Sequence, residues 1–215
     1  MAAFCLSLLP AAGRAHPHIF IDTAFRFVFD EAGRLAAIRV DWSYDEFYSL
    51  MLIEENGLDA DADGTPEPAR VAGFAGKDVD WEAGFPGDFT LESDGDAVAL
   101  DRPVDHAARF EDGRMIMSHT RRLGAPLAVE GREVVARSYD PTYLVAYDVP
   151  ADPGVEGRDG CAVIREAADR EKAQEEYGDQ LAAVDAASDP FAAVELDDIG
   201  ILFADRFVLS CAASS

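Results

Sequence analysis

The chain has 215 residues, room for one large domain or two small ones, and 49% of them are hydrophobic, enough for a core. Its 42 acidic residues against 18 basic ones give a formal net charge of -24. Such a surface repels phosphate backbones and anionic lipid, which argues against nucleic-acid and membrane-surface binding, and it attracts cations.

Residues 1–15 read as a secretory signal. The apolar run from Ala2 to Ala12 carries Phe4, Leu6, Leu8 and Leu9, and Gly13-Arg14-Ala15 places small residues where a signal peptidase inspects them. The run is too short to span a bilayer, although no Lys or Arg precedes it; the competing reading is a buried N-terminal helix. Cleavage after Ala15 leaves a single exported domain, residues 16–215, with 16–80 and 81–215 as conceivable sub-lobes, and makes His16 the terminal residue.

Two alternating runs follow. Ile19, Ile21, Phe25, Phe27 and Phe29 share one face of a strand, and His18, Phe20, Asp22, Ala24 and Arg26 the other. After the turn Asp30-Glu31-Ala32-Gly33, Ala36, Ile38, Val40, Trp42 and Tyr44 form a second apolar face, so the runs predict a hairpin. Asp45 is placed to cap a short helix from Glu46 to Glu55, stopped by Asn56-Gly57. Short strands are expected between Asp88 and Val149, around Met115–Met117, Val134-Val135 and Tyr143–Val145. Glu166 to Ala187 is helical in propensity, with a stripe of Ala173, Tyr177, Leu181 and Val184, and Phe203 to Cys211 reads as a last strand. The order predicts an α+β fold, mainly antiparallel and sandwich-like, with a short helix after the first hairpin and a longer C-terminal one.

Three groups of residues could carry chemistry. Imidazole ligates zinc, copper and nickel, and His16 and His18 share one strand face with Asp22. With Phe29 opposite Arg34, the hairpin register puts Asp22 opposite Asp41 and His18 opposite Asp45, so two histidines and three carboxylates converge. A terminal His16 adds its free amine, which makes a copper chelate possible. Asp59, Asp61, Asp63, Gly64, Thr65 and Glu67 form the first half of a calcium loop, but position 12 is Arg70 in place of the bidentate Glu, so a plain acidic turn competes with a weak site. Cys161 and Cys211, the pair left after cleavage, are expected to form a disulfide in an oxidising compartment. His106 and His119 each stand alone among strand-like residues and read as structural.

The order of several motifs resembles a family. His16-Pro17-His18-Ile19-Phe20-Ile21-Asp22 behind a signal, Trp42 to Ser49, the Asp59–Gly64 loop, Tyr139-Asp140-Pro141-Thr142-Tyr143, Cys161, and Phe203-Ala204 before Cys211 are similar to the exported proteins grouped as domain-of-unknown-function family 1007. The resemblance spans nearly the whole mature chain, apart from the unusually charged, Ala-rich stretch from Ala168 to Ala187. Members are described as periplasmic components of an uncharacterised ABC-type transport system and are associated with nickel/cobalt permeases. The resemblance therefore implies metal handling. The expected protein is a periplasmic, non-enzymatic metal-binding accessory to an inner-membrane metal permease or ABC transporter. Nickel, cobalt, zinc or copper would be held by His16, His18, Asp22 and Asp45, with calcium as an additional ion at the acidic loop. Two alternatives stand beside it: a copper-dependent redox enzyme built on the terminal histidine, with Phe20 or Tyr44 as aromatic neighbour, and a structural or solute-binding module without metal.

Overall fold

The computed structural model describes residues 17–185 and 198–212. The expected signal segment 1–15 and His16 lie outside the described residues, as does Ala187.

Strand β1 (Ile19–Phe29) buries Ile21, Thr23, Phe25, Phe27 and Phe29, the alternate positions that its sequence phase selects. It turns through Asp30, whose carboxylate accepts from Ala32 N, Arg34 N and Arg34 Nε at 2.9–3.0 Å, into β2 (Leu35–Tyr44). The hairpin is the expected one, but its register is not. The structure pairs Ile21 with Tyr44, Asp22 with Ser43 and Ala24 with Asp41, a slip of two residues from the register with Phe29 opposite Arg34. Phe29 pairs with Leu35, and an irregularity between Val28 and Phe29 adds the second step. An even slip keeps every apolar side chain on its face, so the hydrophobic pattern could not detect it. A further bulge between Leu35 and Ala37 buries these two residues in place of Ala36.

Ten further elements complete the chain up to residue 166. They are α1 (Glu46–Glu55), α2 (Pro68–Phe74), β3 (Phe89–Ser93), β4 (Asp96–Ala97), β5 (Val104–Glu111), β6 (Arg114–Leu127), β7 (Val134–Ser138), β8 (Val145–Asp148), β9 (Gly154–Glu156) and β10 (Cys161–Glu166). Helix α3 (Arg170–Asp185), a 3-10 turn (Ile199–Phe203) and β11 (Arg206–Cys211) follow. Phe203, expected in the last strand, belongs to the 3-10 turn and stacks on Tyr143, which itself precedes β8.

The strands form two sheets. One runs β5-β6-β2-β1-β8, with β9 also on β1; the other runs β10-β11-β7-β3-β4. Pairing is antiparallel except for β8 and β9, which lie parallel to β1. The sheets face each other: Phe25 of β1 meets Phe89 of β3 and Phe207 of β11 edge to face, with centroids 5.0 and 5.3 Å apart. One core runs through both sheets, and strands from residues 19–44 and 104–148 share the first, so the segments 16–80 and 81–215 share that core. The segment 75–88 closes the inner face beneath β2 and β6, with Trp81 stacked nearly parallel to Trp42 and Phe85 edge-on to it. Buried Arg121 fastens this segment by donating to the carbonyls of Pro86, Leu100 and Asp101.

Among the described residues, no helix is long and apolar enough to cross a membrane. Cys161 and Cys211 stand directly opposite each other in the β10–β11 ladder and are joined as a disulfide.

Candidate functional site

At the start of β1, Pro17 and His18 are half-buried, and the backbone N–H of His18 donates to the Leu144 carbonyl at 2.9 Å. The two carboxylates expected to join His18 have separate engagements. Asp22 forms an ion pair with Arg114, which also donates to the carbonyls of Ser43 and Tyr44. Asp45 caps α1 by accepting from Tyr48 N at 2.8 Å, and its other oxygen accepts from Phe20 N at 3.0 Å. The residue across from Asp45 is therefore Phe20, not His18, and Asp41 stands opposite Ala24. Each Asp45 oxygen keeps lone pairs open to an ion. Asp22 would have to exchange a guanidinium for one.

The acidic loop folds as its sequence suggests and stops short of a full cage. Ligand oxygens of Asp59, Asp61 and Glu67 lie within 4.8 Å of one another. Gly64, with φ +89°, turns so that its N–H donates to Asp59 Oδ2 at 2.9 Å. Asp63 and Thr65 are outside this trio, and Asp63 accepts from Thr65 N. Arg70 at position 12 reaches Glu67 at 3.5 Å and donates to the Gly57 carbonyl, so a cation occupies the place of the missing acid. Calcium binding by calorimetry is expected in the range of about 10⁻⁴–10⁻³ M, tightening at least tenfold in Arg70→Glu. A micromolar constant for the wild type would show that another group completes the shell.

The residues that the sequence left apart come together beneath Trp81. On β6, Met115, Met117, His119 and Arg121 are buried in strict alternation, which puts His119 on the inner face. Phase with the methionines was the signal that could have revealed it. His119 is only 3% exposed and sits edge-on to Trp42 and Trp81, with ring centroids 4.7 and 5.2 Å away. His106 joins it from β5, with the two imidazole centroids 6.3 Å apart. The pairing of β5 with β6 is irregular between Val104 and Ala107, and Asp105 in that bulge has φ +55°. A bulge of this kind re-aims the side chain beside it. Gly76 lies so close that a Cβ there would come within 2.8 Å of the His106 ring, so only glycine lets the segment 75–88 lie against it.

Electrostatics in this region are set by burial. Burial, reinforced by the charges of Arg121 and His106, pushes the His119 pKa down to about 3, so its imidazole is neutral at neutral pH. Burial raises the Asp78 carboxyl above its ordinary value, offset by the 2.8 Å hydrogen bond donated by the Tyr44 hydroxyl and by the neighbouring charge of His106. Around the two tryptophans, three buried polar atoms have no hydrogen-bond partner within the described residues: His119 Nε2, Trp42 Nε1 and Trp81 Nε1. Beside them a cleft of about 520 Å³ opens to solvent between Asp78, Trp81, Glu82, Arg102 and His106. Such a cleft, with convergent polar groups and a shifted carboxyl at its wall, has the features of a binding site.

No curated protein matches the chain. The family model described as "Protein of unknown function (DUF1007)" matches residues 1–211, and the chain belongs to that family.

Proposed function

We propose that the chain is an exported, non-enzymatic metal-binding accessory that works in the periplasm beside an inner-membrane transition-metal permease or ABC transporter, with nickel, cobalt or zinc as its cargo. The observation that carries the reading is the His-Pro-His motif of a strongly acidic chain, with His18 directly before β1 and Asp45 bound to the N–H of Phe20 two residues on. His16 and His18 would be the primary ligands and Asp45 the carboxylate, with Asp22 held in reserve by Arg114. Borderline ions favour such an imidazole-rich set. The acidic surface raises the local concentration of any cation, and the disulfide suits an oxidising compartment. A calcium ion at Asp59, Asp61 and Glu67 would be an additional, structural one.

The test is a calorimetric titration of untagged protein beginning at His16 with nickel, zinc and copper. His18→Ala is expected to weaken transition-metal binding at the terminal site at least tenfold, the loss of one good ligand. Its denaturation midpoint should barely move, because the residue is half-buried at a strand end; about 0.5 kcal/mol is expected. An extra residue before His16 blocks the terminal amine and leaves both imidazoles. Unchanged affinity in His18→Ala would remove the terminal site from the reading. Loss only in the extended form would make the amine chelate the core of the site and favour copper chemistry.

A further inference from the structure

We infer that His106 and His119 form a second, internal site for one transition-metal ion, roofed by Trp81 and entered from the cleft beside it. The inference rests on the metal-handling reading for its cargo, but it uses residues separate from the terminal set.

Geometry is the first support. Two imidazoles bound to one ion through nitrogens at about 2.0–2.1 Å have ring centres roughly 5–6.4 Å apart, the range running from a tetrahedral to a linear N–metal–N angle. The observed 6.3 Å lies at the open end of that range, and binding would draw the half-buried His106 toward His119, which stays in its packed position. The second support is an unmet demand. His119 Nε2 is buried without a hydrogen-bond partner among the described residues, a destabilising arrangement that a bound ion would remove if that nitrogen ligates. Third, the backbone is strained in a way that bears on His106. Asp105 takes a left-handed conformation in the bulge that precedes it, and Gly76 is the residue type that lets the covering segment lie on its ring.

The surroundings favour a cation of intermediate softness. Imidazole ligands suit nickel, cobalt, zinc and copper. Asp78, hydrogen-bonded by Tyr44, is close enough to His106 for their charges to interact, and a carboxylate at that range adds attraction for a cation. Arg121, the nearby positive group on the same strand face, is committed to three backbone carbonyls.

The chain has two tryptophans, Trp42 and Trp81, and both ring systems lie within 5.2 Å of His119. Intrinsic fluorescence therefore reports on this site directly. Full-length mature protein is titrated with nickel chloride while tryptophan emission is followed, and total binding is measured by calorimetry in parallel. Wild type and His18→Ala should both show saturable quenching with one equivalent, reversed by excess zinc, which binds the same ligands without quenching. His106→Gln should raise the half-saturating nickel concentration at least tenfold. Since His106 is half-buried at a cleft wall, that variant is expected to fold; His119→Gln, which risks the core, serves as the second variant with its fold checked by near-ultraviolet ellipticity. Quenching in His106→Gln at the wild-type concentration would overturn the inference. Nickel bound by calorimetry with no change in emission would overturn it too, while leaving the terminal site standing. Absence of binding in every form would overturn both readings.

Discussion

Cys211→Ser is expected to lower the thermal midpoint by about 8–16 °C. The bridge spans a sequence separation of 50 residues, for which the chain-entropy model assigns about 4 kcal/mol to the constraint on the unfolded chain. Position adds to length. Among the described strands β10 pairs with β11 alone, at the edge of its sheet, and β11 meets the rest of that sheet over the three pairs Phe207–Ala136, Val208–Val135 and Leu209–Val134. The loop that the bridge closes contains α3 and the 3-10 turn, whose small cluster of Ala173, Leu181, Ile199 and Phe203 is separate from the main core. Opening the bridge therefore removes the covalent tie between the last two strands of this sheet edge. Differential scanning calorimetry of wild type and variant measures the shift. The denaturant m-value should rise in the variant, because the unfolded chain loses its crosslink and exposes more surface. Two titrating thiols in natively folded, air-purified mature protein, or a variant melting within about 2 °C of wild type, would contradict the prediction.

Asp88→Asn should stabilise the protein above neutral pH and leave it almost unchanged near pH 4. Asp88 is 7% exposed; burial first, and the Asp140 charge second, push its carboxyl up to about 7, against the pull of the Tyr147 hydroxyl that donates to Oδ2 at 2.9 Å. The folded state thus holds this proton more tightly than the unfolded chain, whose carboxyl titrates near 3.9. Its stabilising contribution is full below about pH 4 and is lost as pH rises through about 7, on the order of 3–4 kcal/mol in all. Asn is neutral throughout, can still accept from Tyr147, and tolerates the left-handed backbone at this position, φ +43°. His119 works in the opposite sense. Its folded pKa is depressed to about 3, so its contribution is present above the unfolded value of about 6.5 and is lost as pH falls toward 3. In wild type the two slopes oppose each other between about pH 4 and 6.5. In the variant the histidine slope should dominate, opposed by the smaller contribution of Asp78, with stability climbing to neutrality and then levelling. Urea denaturation from pH 4 to 8 resolves the two curves, and coincident midpoints at pH 8 would show that Asp88 is ionised in the fold without cost.

What the sequence determined by itself were features written within a few residues of one another. The alternation of Ile21, Phe25, Phe27 and Phe29 set the buried face of β1, Asp45 set the start of α1, Asn56-Gly57 set its end, and Asp59 to Gly64 set an acidic turn. Cys161 and Cys211 could be paired because only two cysteines lie outside the expected signal segment, and the order of short motifs was enough to place the chain in its family. The tertiary structure decided what depends on partners far along the chain. Hydrophobic phase cannot distinguish a register from the same register slipped by two, so the relation of Asp22, Asp41 and His18 to Asp45 waited on a backbone irregularity at Val28. Asp22 is neutralised by Arg114, 92 positions away, and β8 and β9 join β1 in parallel, which no local pattern announces. His106 and His119 looked isolated because twelve residues of hairpin separate them in a line. The β5–β6 pairing, with a bulge to turn one ring inward, brings their ring centroids to 6.3 Å beside a tryptophan from a third segment.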